Sequence, residues 1–112
     1  MIKMACHWIL LALSMGYYLT AHADDYPTFN LTMQDGVFLP AARIQVPAGK
    51  KIRLLIANKG TSAAEFESLS LRKEKVLGPG ANSFVILAAL DPGSYDFFDD
   101  FHPSAKGVII AK

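Results

Sequence analysis

The chain has 112 residues, 52% of them hydrophobic, and a formal charge of +1 from eleven basic and ten acidic side chains. So even a balance excludes nucleic-acid binding through a basic surface, and a single cysteine excludes an internal disulfide framework.

The N-terminal segment reads as a signal peptide. Lys3 supplies a short basic start, Trp8 to Thr20 is largely apolar and uncharged, and Ala21-His22-Ala23 has the small residues of an A-x-A cleavage site. The apolar run falls short of the about 20 residues a membrane-spanning helix needs. Cys6 precedes the run instead of ending it, which argues against a lipoprotein anchor. Cleavage after Ala23 removes 23 of the 112 residues and leaves 89, Asp24 to Lys112, with all ten acidic side chains and every basic one except Lys3. That mature length suits one domain with one core. It retains no cysteine, one methionine (Met33) and one histidine (His102).

Beyond the leader, short apolar runs are divided by turn signals. Phe29, Leu31 and Met33 alternate with polar residues at strand period, Asp35-Gly36 turns the chain, and Val37 to Pro40 and Arg43 to Val46 are short extended pieces. After Pro47-Ala48-Gly49, the run Lys51 to Asn58 places Ile52, Leu54 and Ile56 on one face. Glu65 to Leu71 reads as a strand. The wider stretch Ala63 to Leu77 is also open to a helical reading because of its charges, although Ser68 and Ser70 alternating with Leu69 and Leu71 favour extended chain. Gly78-Pro79-Gly80 and Asp91-Pro92-Gly93 are turns around the β-branched and aromatic segment Ser83 to Leu87. Tyr95 to Phe98 and Gly107 to Ala111 complete a series of about seven to eight strands, spaced as in an all-β sandwich or barrel.

The segment Tyr95-Asp96-Phe97-Phe98-Asp99-Asp100-Phe101-His102-Pro103-Ser104-Ala105-Lys106-Gly107 resembles the metal-loop segment of the cupredoxin family. Tyr95 and Phe97 match its core aromatics, His102 its second histidine ligand, and Pro103, Lys106 and Gly107 the short loop that follows. Asp99 stands at the cysteine position and Ala105 at the methionine position. Ile56-Ala57-Asn58-Lys59-Gly60 resembles the strand end and turn before the first histidine ligand, whose position falls at Ala64 or Glu65. The resemblance implies a Greek-key cupredoxin-like β-sandwich over residues 24–112, preceded by a signal-peptide helix over residues 1–23. It also implies that the blue copper centre is lost, since that centre needs a thiolate. Glu65-Phe66-Glu67-Ser68, Leu71-Arg72-Lys73-Glu74-Lys75-Val76 and Phe97-Phe98-Asp99-Asp100-Phe101-His102-Pro103 further resemble the periplasmic cupredoxin-like proteins that accompany bacterial iron permeases. That implies a part in iron uptake, by metal hand-over or oxidation, with an inner-membrane iron permease system as partner.

Carboxylates with one imidazole are hard ligands that suit iron or a non-blue copper(II) ion. The candidate ligands are Glu65, Glu67, Asp99, Asp100 and His102. Strand parity puts Asp99 on the face of Tyr95 and Phe97, with Phe101 following and Asp96 opposite. An inward carboxylate requires a partner, whether a metal, a cation or backbone donors. The plainer readings are turn-capping carboxylates at Asp99 and Asp100 and a solvent-facing acidic stripe at Glu65 and Glu67. Met33 reads as core, and the basic run Arg72, Lys73 and Lys75 as a solvated strand edge. No phosphate loop, Ser-His-Asp set or two-histidine zinc motif is legible, so an enzyme of organic chemistry is poorly supported. Two functions follow as expectations: a monomeric or weakly dimeric metal-binding or transfer protein, or a metal-free interaction module on the same fold.

Overall fold

A computed structural model describes residues 26–112; the expected leader, cleavage site and signal-peptide helix lie outside them. Nine strands follow in order: β1 (Thr28–Gln34), β2 (Val37–Leu39), β3 (Arg43–Val46), β4 (Ile52–Asn58), β5 (Ala64–Ser68), β6 (Lys73–Leu77), β7 (Asn82–Leu87), β8 (Gly93–Asp99) and β9 (His102–Ala111). They form two sheets, β2-β1-β4-β7 and β3-β9-β8-β5-β6. The β1–β4 and β3–β9 pairs are parallel and the rest antiparallel. The result is a mixed-sheet β-sandwich with Greek-key connections, consistent with a cupredoxin-like fold. No helix among the described residues is long and apolar enough to cross a membrane.

The alternation read from the sequence sets the inner faces. Leu31 and Met33 of β1, and Ile52, Leu54 and Ile56 of β4, are buried. At the centre Phe97 meets Phe38 edge-on, with ring centroids 4.9 Å apart, and Phe66 at 5.3 Å. Aromatic pairs at these separations add about 1 kcal/mol each to the area they bury. Gly107 lies opposite Phe97 in the β8–β9 ladder, and the Phe97 ring fills the space a side chain there would need.

The strand count exceeds expectation at one place. The strand expected over Glu65 to Leu71 ends at Ser68, and the chain turns through Leu69 to Arg72 into β6. The Ser68 hydroxyl directs this turn, accepting the Leu71 N–H and donating to the Asp96 carbonyl. Arg72 closes it at φ 57°. The helical alternative for Ala63 to Leu77 is thus replaced by a hairpin. β6 is the edge strand of its sheet, and its two lysines fit the expectation of a charged edge.

Candidate metal-binding site

Three elements converge where β5, β8 and the β8–β9 turn meet. Asp99 ends β8 with its residue 1% exposed, on the inner face with Phe97, while Asp96 faces out, as parity required. Phe101 departs from that parity. The strand ends at Asp99, a bulge interrupts the β8–β9 ladder there, and the turn leaves Phe101 exposed.

The Asp99 carboxylate is fully engaged by protein donors. Its Oδ1 accepts the Glu65 and Phe101 backbone N–H groups, both at 3.0 Å. Its Oδ2 lies 2.8 Å from His102 Nδ1, and because a carboxylate only accepts, that nitrogen carries the proton. His102 Nε2 is 3.3 Å from the Ser62 Oγ, which donates in turn to Asp35 Oδ1 at 3.2 Å. Asp35 Oδ1 also accepts the Thr61 N–H, and this bond foremost holds the Asp35 carboxyl below its usual range. A row of polar groups thus runs from the β1–β2 turn through the Ser62 loop to the β8–β9 turn. The sequence disclosed no Ser-His-Asp set because Ser62 and His102 meet only across the fold. These contacts link three loops of the fold.

Register separates the five candidate ligands into two groups. Phe66 pairs with Asp99 across β5–β8. Adjacent residues on a strand point to opposite faces, so Glu65 and Glu67 project from the outer face of the sheet that has Asp99 on its inner face. On that outer face Glu65, Glu67 and Asp100 bring carboxylate oxygens within 4.8 Å of one another. The Asp100 N–H donates to the Glu65 carbonyl at 2.9 Å, which holds the turn against β5. Glu65 is only 8% exposed. Its carboxyl is raised above the usual 4.5, first by burial, then by the neighbouring Glu74 carboxylate, which favours the protonated form, and by the charges of Asp100, Glu67 and Glu74. Burial and the charges of Asp100 and Glu74 raise Glu67 as well. Every charge acting on these two groups is negative.

The cupredoxin-like domain model matches residues 7–111. The chain belongs to the cupredoxin-like domain family. It is 41% identical over 88 residues to the uncharacterized protein RP394 of Rickettsia prowazekii (strain Madrid E), covering 78% of this chain and 70% of that one. Among solved structures it resembles the metal-binding domain of the Streptococcus pneumoniae D39 Cu(I)-exporting P-type ATPase CopA, with TM-score 0.67 and 15% identity over 76% of this chain and 84% of that one. It also resembles the dithionite-reduced auracyanin of Roseiflexus castenholzii, with TM-score 0.64 and 17% identity over 76% and 96%. At such identities the structural likeness establishes the fold.

A blue copper centre does not fit this cupredoxin-like chain. No cysteine is present among the described residues; Asp99, at the position that resembles the cysteine ligand's, has its oxygens already taken, and Ala64 and Ala105 are buried apolar residues. The groups that converge on one point are carboxylates, a donor set for hard cations.

Proposed function

We propose that this is an exported cupredoxin-like protein that binds a hard metal ion, iron foremost, on the outer face of its five-stranded sheet. The observation that carries the reading is the convergence of Glu65, Glu67 and Asp100 within 4.8 Å, with Glu65 buried among charges of its own sign. Burying a carboxylate among like charges is unfavourable, and a bound cation converts that cost into binding energy. In this reading Glu65, Glu67 and Asp100 hold the ion. Asp99 and His102, candidate ligands on the sequence alone, brace the backbone beneath. The basic leader, apolar run and A-x-A site support export to the periplasm. The segments that resemble iron-permease accessory proteins support iron as cargo and an inner-membrane permease system as recipient.

The test is a titration of the exported protein with Fe(III), Fe(II) and Cu(II), run beside Glu65→Gln, Asp100→Asn and His102→Ala. The expected result is tightest binding of iron by the native chain, with a loss of about tenfold or more in each carboxylate variant. The copper-loaded protein should lack the intense visible band of a copper–thiolate bond. Equal affinities in native and carboxylate variants would leave the fold as a metal-free interaction module and overturn the proposal.

A further inference from the structure

We propose that one flank of the sandwich, where the edge strands β6 and β7 meet, docks on an anionic phospholipid membrane surface; the inference is independent of the metal-binding reading above. The even net charge conceals an uneven distribution. β6 and β7 are edge strands of different sheets, and a groove of about 410 Å3 runs between them. Arg72, Lys73 and Lys75 line it from one side, against Glu74 alone, and Phe84, Val85 and Ile86 line it from the other. The basic run that reads in the sequence as a solvated edge is thus joined to an aromatic and apolar segment of another sheet.

The pattern continues across the outer face of the four-stranded sheet. Ile52, Leu54, Val85 and Leu87 are buried, so alternation turns Arg53 and Leu55 of β4 and Phe84 and Ile86 of β7 outward. Leu55 pairs with Phe84, and Arg53 with Ile86. Leu55 is 39% exposed and Phe84 49%, which leaves an apolar centre open to solvent. The Arg53 guanidinium lies 5.7 Å from the centre of the Phe84 ring and 5.4 Å from that of Tyr26, and Lys51 Nζ lies 5.3 Å from the Tyr26 ring. Lys51, Arg53, Arg72, Lys73 and Lys75 therefore border two aromatic rings. The acids beside these residues in sequence are Glu74, Asp24 and Asp25, and the flank stays positive when all of them are counted against it.

Three observations select a bilayer as the occupant. Charge is complementary, and each Lys or Arg held near an anionic lipid surface tightens binding about fivefold. Apolar and aromatic groups among the cations suit the boundary between headgroups and acyl chains, where aromatic rings anchor and long basic side chains keep their charge in water. The chain outside the described residues also joins the domain here. Tyr26 belongs to the patch, and the apolar run Trp8 to Thr20, expected to engage the export membrane, precedes it. Docked in this way, the outer face of the four-stranded sheet meets the bilayer, and the outer face of the other sheet, with Glu65, Glu67 and Asp100, is directed away from it.

The experiment is co-sedimentation of the exported protein with vesicles of phosphatidylcholine alone and of equal parts phosphatidylcholine and phosphatidylglycerol. It compares the native chain with Lys73→Gln/Lys75→Gln, with Lys51→Gln/Arg72→Gln, and with Arg43→Gln/Lys106→Gln, which removes the same charge from β3 and β9 at the other side of the five-stranded sheet. Lys51 and Arg72 are exposed, so the second pair keeps the test intact if the first disturbs the fold, and a thermal melt of each variant checks this. The native chain should sediment with the anionic vesicles at low salt, be released by added salt, and ignore phosphatidylcholine. Each flank pair should lose about 30-fold in affinity, two cations at about fivefold each, while the β3–β9 pair loses less than about threefold. Equal sedimentation with both kinds of vesicle, none with the anionic ones, or equal losses in all three pairs would overturn the proposal. Capture of the native chain by immobilised polyglutamate and not by the anionic vesicles would assign the flank to an acidic protein segment and overturn it as well.

Discussion

Asp99 and Glu65 show how differently two buried carboxylates can be treated within a few ångströms. Asp99 meets two backbone N–H groups and an imidazole, so its charge is satisfied inside the fold. Glu65 meets only other acids. The two are linked, since Asp99 grips the backbone N–H of Glu65 and thereby helps to aim its side chain outward. The consequence is a pH dependence of opposite sense to ordinary acid denaturation. The unfolded Glu65 ionises near 4.5, whereas the folded one keeps its proton to higher pH. The folded state then binds more protons than the unfolded state, and stability falls as pH rises from 4.5 through the raised value. Urea unfolding of the metal-free protein should show the native chain losing stability relative to Glu65→Gln across that window. A difference between the two chains that does not change with pH would refute this environment for Glu65.

At the scale of elements, the site depends on pairings that the core enforces. The β8–β9 ladder aligns Phe97 with Gly107. A Cβ at Gly107 would run into the Phe97 ring and come within 2.8 Å of the Ala42 carbonyl oxygen. That oxygen already accepts the Val108 N–H, so neither neighbour can yield cheaply. Gly107→Ala should cost about 2 kcal/mol, or roughly 10 °C in melting temperature for a domain of this size. A thermal melt shifted by less than about 2 °C would show that β9 moves aside. The β5–β6 hairpin is the complementary case. Its register satisfies the interior, and the like-charge face outside is the consequence that a cation would relieve.

For the whole molecule, the contacts from Asp35 through Ser62 and His102 to Asp99 link three loops of the sandwich, and the acidic face lies on the outer side of the five-stranded sheet. Function then depends on which compartment the domain reaches. N-terminal sequencing of the protein recovered from the periplasm should begin at Asp24, with the loss of 23 residues. Recovery only in the cytoplasm, with Met1 retained, would contradict export and with it the permease partnership.

Much of this molecule was legible in one dimension because strand period is a local signal. The alternation in β1 and β4 gave the core faces, parity gave the inward Asp99 and outward Asp96, and the aromatic segment leading to His102 and Pro103 gave the family resemblance. The hairpin turn at Leu69 to Arg72 was missed, since no glycine or proline marks it and the Ser68 hydroxyl that directs it acts through Asp96, distant in sequence. The sequence also could not divide the candidate ligands. Glu65 and Glu67 are on a strand whose facing is fixed by the pairing of Phe66 with Asp99, and that pairing forms only on folding. The sequence by itself thus determined the fold family and the residue types available for a hard-metal site. Tertiary structure alone decided which carboxylates meet, because register, set by burial of Phe66 and Leu77, places Glu65, Glu67 and Asp100 on one side of a sheet and the Asp99–His102 pair on the other.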